Sequence, residues 1–519
     1  MNDNLKQVTN HYLPPYEYIP DGEPYVFGDR VYVYGSHDKF GGDVYCELDY
    51  VTWSAPVNDL GSWRYEGIIY KKKQDPSNAS LQGNLYAPDV TVGPDGRYYL
   101  FYSLSSRSHV AVAVCDEPAG EFRFHGYVHY KDGTVLGERE GDEQQFDPGV
   151  LTEGDRTYLY TGFCDANNPN KHGAMMTVLD SDMLTILEEP VFIAPSEYYA
   201  RGTKYEGHAF FEAPSIRVIR DKYYFIYSSI VNHELCYAIG DSPKGPFEYG
   251  GVIVSNADLG IDSYKEADMP CAPYANNHGS VVRIGDDWYI FYHRHTNAHN
   301  YSRQGCLEKL TICEDGSIPQ VEITSCGGVK PLKGSGVYPA YLACNLYVDG
   351  LKPEDVRSLS EGGDRFMLVP WTGWLPDIYP KITQDHSDVT PDEYVKIAKP
   401  EEIDDNSGLD KDIHSFITNM KNGAVAGFKY FDLRGLKKIA IRTKGYGLGK
   451  IEVYAALKDD PKNRRLIGSI PVSSTNAYKR DECSISTDGE NGIKDGIYAL
   501  YFKFSGESNL NFLDFELII

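Results

Sequence analysis

Apolar and polar residues alternate through most of the first 300 positions, and Gly, Asp and Pro interrupt the alternation at short intervals. RVYVYGS (30–36), RYYLFYS (97–103), RTYLYTG (156–162), KYYFIYS (222–228) and DWYIFYH (287–293) are short runs of aromatic and β-branched residues. That composition and length predict strands. Each run follows a second alternating stretch across a Gly/Asp turn: PDGEPYVFG, APDVTVGPDG, FDPGVLTEGD, EAPSIRVIRD and NHGSVVRIGD. The pattern predicts five hairpins.

The hairpins are phased. Their leading polar residues are Asp21, Asp89, Asp147, Glu212 and His278, spaced 58 to 68 residues apart. Each interval leaves room for two more strands, such as AVAVCDE (111–117) and the stretch from Glu234 to Ile253. Four-stranded units repeated radially predict an all-β fold, a five-bladed β-propeller over residues 1–326. The five leaders then converge on one mouth of the central channel. EKLTICEDGSIPQVEITSCG (308–327) is expected to close the ring, and GGVKPLKGSG (327–336) reads as a linker. From 337 to 519 the texture changes to longer alternating strands with Gly turns, which predicts a β-sandwich. The segment around 351–400 takes no clear assignment.

Composition narrows the function. The 519 residues exceed one ordinary core, in keeping with two domains. Tyr contributes 42 residues and Gly 50, as expected for strands joined by tight turns. A formal net charge of −25 argues against nucleic acid and against anionic membrane surfaces, and suits an uncharged partner such as an oligosaccharide. The start of the chain, MNDNLKQVTNHYLPPYEY, has neither the basic nor the apolar segment of a secretory signal, and no run is long enough to span a bilayer. With ten scattered cysteines and no C-x-x-C pair, the expectation is reduced thiols in a cytoplasmic protein.

Several carboxylates at one channel mouth suit glycoside hydrolysis, which needs a general acid and a general base flanking the scissile bond. A further carboxylate beside the acid keeps it protonated by like-charge repulsion. An aspartate before a strand also serves as an ordinary turn residue, so the phasing of all five carries the reading.

Asp21, Asp89 in YAPDV, Glu212 in FEAPS and Arg303 in YSRQG together resemble glycoside hydrolase family 43, over about the first 325 residues. The resemblance implies Asp21 as general base, Asp89 as the residue that orients and tunes the acid, and Glu212 as general acid. Its first-blade acid commonly stands in A-D-P, whereas this chain has PDGEP, so Glu23 is a rival base. Arg303 resembles the family's active-site arginine. His278 corresponds to a histidine near a calcium ion or water cluster on the axis, so a structural calcium is the one metal considered, and no cofactor is required. His37, Asp38 and Tyr86 are further candidates for substrate binding. Trp53 is either a stacking platform or a core aromatic, and Asp147 either a subsite contact or a structural acid. The C-terminal part is similar to carbohydrate-binding module family 6. The expected activity is inverting, exo-acting release of terminal α-L-arabinofuranosyl or β-D-xylosyl residues. A phosphorylase and a non-catalytic sugar-binding propeller are the alternatives.

Overall fold

A computed structural model describes residues 6–357, 367–369, 375, 377, 379–385, 415–486 and 492–519. The fold is all-β. All five predicted hairpins form, and each opens an antiparallel sheet whose strands follow chain order. The first sheet runs Glu23–Phe27, Arg30–Tyr34, Tyr50–Pro56, Arg64–Tyr70. The second runs Asp89–Val92, Tyr98–Ser103, Val110–Cys115, Arg123–Tyr127, and the third Gly149–Glu153, Arg156–Thr161, Gly173–Leu179, Ile186–Pro195. The fourth runs Phe210–Ile219, Lys222–Ser229, Glu234–Gly240, Glu248–Ser255. The fifth holds only Val281–Ile284, Asp287–Arg294 and Gln304–Leu310. Its expected fourth strand is missing because the chain beyond Leu310 turns toward its neighbour, where Val321 bridges Val254 of the fourth sheet.

Neighbouring sheets bury apolar clusters against one another. Tyr34 and Tyr70 meet Val90 and Leu100; Phe101 and Val112 meet Val150 and Leu159; Tyr160 and Met176 meet Phe225 and Tyr227. Ile226 and Leu235 meet Val281 and Ile290, and Phe291 returns to Val31 and Val33 of the first sheet. Each such side chain contributes roughly 1.5–3 kcal/mol by leaving water. Tyrosine is the favoured filler because its ring packs while its hydroxyl reaches a neighbouring carbonyl. Tyr34 donates to Pro118 O at 2.6 Å, Tyr160 to Pro243 O at 2.6 Å and Tyr224 to Gly316 O at 2.8 Å. A parallel bridge between Gly22 and Gly279 joins the first sheet to the fifth, so the sheets form a closed ring.

Two six-stranded sheets follow. One joins Leu332–Lys333, Asn345–Val348, Ala424–Leu433, Gly496–Glu507, Leu448–Leu457 and Asp460–Val472. The other joins Gly336–Pro339, Lys381–Gln384, Ser415–Met420, Leu510–Ile518, Lys438–Gly445 and Thr475–Ser484. Phe428, Phe502, Phe512 and Phe515 lie in the single core they share. The 327–336 stretch is not free chain, since Leu332–Lys333 pairs in parallel with Phe431–Asp432.

These sheets brace the ring near its mouth. The buried Arg294 guanidinium donates to Ala343 O and Cys344 O, at 3.3 and 2.9 Å, and Ile382 N donates to Thr296 O at 2.9 Å. Both contacts support the segment that leads into Arg303. The buried Lys429 ammonium crosses between the two parts to Asp258, at 3.3 Å, and to Glu322, at 2.5 Å. All ten cysteines are unpaired. Among the described residues no helix is long and apolar enough to cross a membrane.

Candidate active site

Where the ring's inner strands begin, a cavity of about 260 Å³ opens. Asp21, Asp147, Glu212, His278 and Arg303 form its polar wall, and Tyr45, Tyr86, Phe146 and Phe163 its aromatic wall. Cys46, Ala87, Ser105, Gln144 and Asn276 complete it.

Backbone geometry aims the acids. Asp21 and Asp147 each stand two residues ahead of an inner strand and adopt left-handed φ values of 57° and 47°. Aspartate tolerates that region better than most residues, and such conformations concentrate at functional sites. Glu212 lies inside its strand, but the register with Lys222–Ser229 slips on both sides of it and Ala213 takes φ 63°. The bulge turns the Glu212 carboxyl into the cavity.

Asp21 is almost wholly buried and makes three contacts with two residues. Arg303 Nη1 donates to its Oδ1 at 3.0 Å, His293 Nδ1 lies 3.3 Å from the same oxygen, and its own N–H donates to that nitrogen at 3.3 Å. Burial alone would raise its pKa, but the Arg303 charge, with His293 next, holds it well below the usual carboxylate range. Asp38 in turn fixes Arg303: Nε and Nη2 reach its two oxygens at 2.9 and 3.0 Å, a bidentate grip.

Glu212 behaves oppositely. Burial, and then the Asp147 charge, push it up to about 8, so it stays protonated at neutral pH. Burial likewise raises Asp147 to about 7, against the attraction of His278. His278 Nδ1 lies 3.8 Å from Asp147 Oδ2, and its Nε2 3.8 Å from Glu23 Oε1. Burial would lower the His278 pKa, but the Glu23, Asp147 and Asp21 carboxylates raise it to about 9. Calcium takes six to eight oxygen ligands, waters included. Around His278 the Glu23, Asp147 and Asp21 carboxylates are the oxygen donors on this wall, with Glu23 also paired with Arg217. Elsewhere His208, Glu234 and Cys236 bring metal-capable atoms together, but Glu234 Oε1 already accepts from His208, Ser229 and Cys236.

Three expected site residues stand off the cavity lining. Asp89 is fully buried in the wall among the first three sheets, where Tyr25 OH and Val90 N donate to Oδ1 at 2.7 Å and Val150 N to Oδ2 at 2.8 Å. It begins a strand, so its side chain turns into the wall, and the carboxylate whose charge bears on Glu212 is Asp147. His37 is sealed in the loop between the first sheet's second and third strands, its Nε2 2.8 Å from Glu17 Oε1 and its Nδ1 2.8 Å from Asp49 O. Asp38 is fully buried and reaches the cavity through Arg303 and through Cys46, whose N–H donates to its Oδ1 at 3.0 Å. Trp53 is a core aromatic whose Nε1 donates to Glu17 at 2.8 Å. Glu23, the rival base, is paired with Arg217 behind the wall. Tyr86 does line the cavity, edge-on to Phe146 with centroids 5.5 Å apart. Tyr45, Gln144, Phe146, Phe163 and Asn276 come from loops between strands, where no periodicity marks them.

One carboxyl held ionised and another held protonated on one small cavity define a class: enzymes that cleave a bond with a paired acid and base, as glycoside hydrolases do. The chain belongs to the glycosyl hydrolases family 43, whose model matches residues 21–318. Over 514 residues, 99% of each chain, it is 54% identical to a xylosidase/arabinosidase of Thermoclostridium stercorarium. A second xylosidase/arabinosidase, from Bacteroides ovatus, is 28% identical over 353 residues, 61% of this chain and 98% of that one. Among solved structures, a family 43 arabinoxylan arabinofuranohydrolase of Bacillus subtilis in complex with cellotetraose is similar over 99% of both chains, at 19% identity and a TM-score of 0.48.

Proposed function

We propose that this enzyme is an exo-acting glycosidase that removes single α-L-arabinofuranosyl or β-D-xylosyl residues from arabinoxylan-type oligosaccharides. The observation that carries the reading is the pairing of an ionised Asp21 with a protonated Glu212 on a cavity of about 260 Å³, suited to one pentose rather than a threading chain. The names of the relatives from T. stercorarium and B. ovatus point to the same sugars.

In this mechanism Glu212 donates its proton to the glycosidic oxygen as the bond lengthens. Asp21, oriented by Arg303, takes a proton from a water that attacks the anomeric carbon from the opposite face. Asp147 holds the proton on Glu212 by charge repulsion, the role first expected of Asp89. The Tyr45 and Tyr86 rings enclose the sugar. Arg303 and His278, the cations on the cavity, are already paired with carboxylates, which disfavours a phosphorylase. The five sheets are read as the blades of a five-bladed β-propeller spanning 1–326. The two six-stranded sheets are read as a β-sandwich over 337–519, beginning within the 327–336 stretch.

Proton NMR of the first product from a nitrophenyl pentoside tests the mechanism. Inversion of the anomeric configuration is expected. Retention would make one carboxylate a nucleophile and overturn the single-displacement reading.

A further inference from the structure

Beside the cavity lies a cluster of exposed aromatic side chains that the mechanism does not use. Phe192 is 51% exposed, Tyr198 42% and Tyr199 41%, and Val191 next to Phe192 is 47% exposed. Scattered apolar residues on a surface need no explanation, but a contiguous group marks a binding surface. This group is contiguous. The His172 ring lies against Phe192, with centroids 4.7 Å apart, and stacks on Tyr199 at 5.0 Å and 17°. Tyr198 meets Tyr199 edge-on at 5.1 Å, and the Arg201 guanidinium covers the Tyr198 ring at 5.3 Å.

The rings are anchored rather than loose. Tyr199 OH donates to Pro169 O at 2.9 Å, the His172 ring is bonded to Glu143 through Nδ1, and Asn167 N donates to Glu197 at 3.0 Å. Groups held in place before a ligand arrives lose little entropy on binding it. Two segments link this surface to the cavity wall. Glu143, which holds His172, is followed in the chain by Gln144, which lines the cavity. Phe163 and His172 bound one loop, with Phe163 in the cavity and His172 in the aromatic cluster.

We infer that this surface holds the leaving-group side of the substrate, a chain of uncharged pyranosyl units that continues outward from the pentose in the cavity. The inference rests on the glycosidase reading. Its chemistry is that of the ligand: a pyranose presents C–H groups on its ring face and hydroxyls at its rim. Flat aromatic faces flanked by Glu143, Glu197 and Arg201 match both. Continuity with the cavity favours a sugar chain over a protein partner.

The test compares Phe192→Ala and Tyr199→Ala with the unaltered enzyme on a nitrophenyl pentoside and on xylo-oligosaccharides of increasing length. The expected result is a loss of kcat/KM on the longer oligosaccharides, on the order of three- to tenfold for each ring removed, expressed in KM. Activity on the nitrophenyl pentoside should stay unchanged, and Phe192→Tyr should restore the oligosaccharide activity. Equal losses on both substrates, or none on either, would overturn the inference. So would an unaltered enzyme that sediments as a dimer and falls to a monomer on Phe192→Ala, since the surface would then serve a second copy of the chain. An unaltered enzyme that cleaves neither substrate would overturn the glycosidase reading as well.

Discussion

Asp21 and Arg303 stand 282 residues apart in the chain, yet Nη1 of the arginine donates to Oδ1 of the aspartate across 3.0 Å. The contact joins the first sheet to the end of the loop that closes the fifth. It makes the charge on Asp21 depend on ring closure, and through Thr296 and Arg294 on the C-terminal sheets. Arg303→Lys keeps the positive charge but loses the fork that spans Asp21 and Asp38. The Asp21 pKa should then rise toward the ordinary aspartate value of about 3.9. Activity needs Asp21 ionised, so the acidic limb of the kcat/KM profile should move to higher pH. An acidic limb that stays in place would mean that Arg303 does not set the Asp21 charge.

Glu212→Gln keeps the shape and removes the transferable proton. Cleavage of oligosaccharides, whose sugar leaving groups need protonation, should fall by roughly 10²- to 10⁴-fold. Nitrophenyl glycosides should lose far less, because that leaving group departs as a stable anion. Steady-state kinetics on both substrate types checks this, and parallel losses would remove Glu212 from the acid role.

Lys429 places a buried ammonium between Asp258 and Glu322, and its charge also lies over the Tyr264 ring, 4.0 Å from the centroid. Lys429→Met leaves Asp258, which is fully buried, without its counter-charge. The expected cost is roughly 3–5 kcal/mol of stability. Urea unfolding measures it, and the double variant Lys429→Met/Asp258→Asn should recover part of the loss.

Much of this was readable in advance. The five hairpins and their phasing follow from alternation and turn residues, so the ring and its leading acids could be expected from the sequence. The role of each acid depended on register. Glu23 and Asp89 are the first residues of their strands, and Gly149 is the first of the third. Counting two positions back from each gives Asp21, Ala87 and Asp147, and all three line the cavity. Asp21 and Asp147 stand ahead of their strands with left-handed φ, while Asp89 is already in its strand, and hydrophobic patterning does not place strand starts to within two residues. Asp89 and Asp147 therefore look alike in the sequence, although one faces the wall and the other the cavity. Similarly, His37 shows no sequence sign of the buried Glu17 that claims it, because that pairing spans 20 residues and two irregular segments.

The most direct test of the account is the pH dependence of kcat/KM in Asp147→Asn and Asp89→Asn. Asp147 holds the proton on Glu212, so removing its charge lowers the Glu212 pKa from about 8, and the basic limb should move to lower pH. Asp89→Asn should leave that limb in place. It disturbs a carboxylate bonded to Tyr25, Val90 and Val150, so its cost should appear in stability, at about 1–3 kcal/mol. A basic limb that moves with Asp89→Asn and stays fixed with Asp147→Asn would contradict the account.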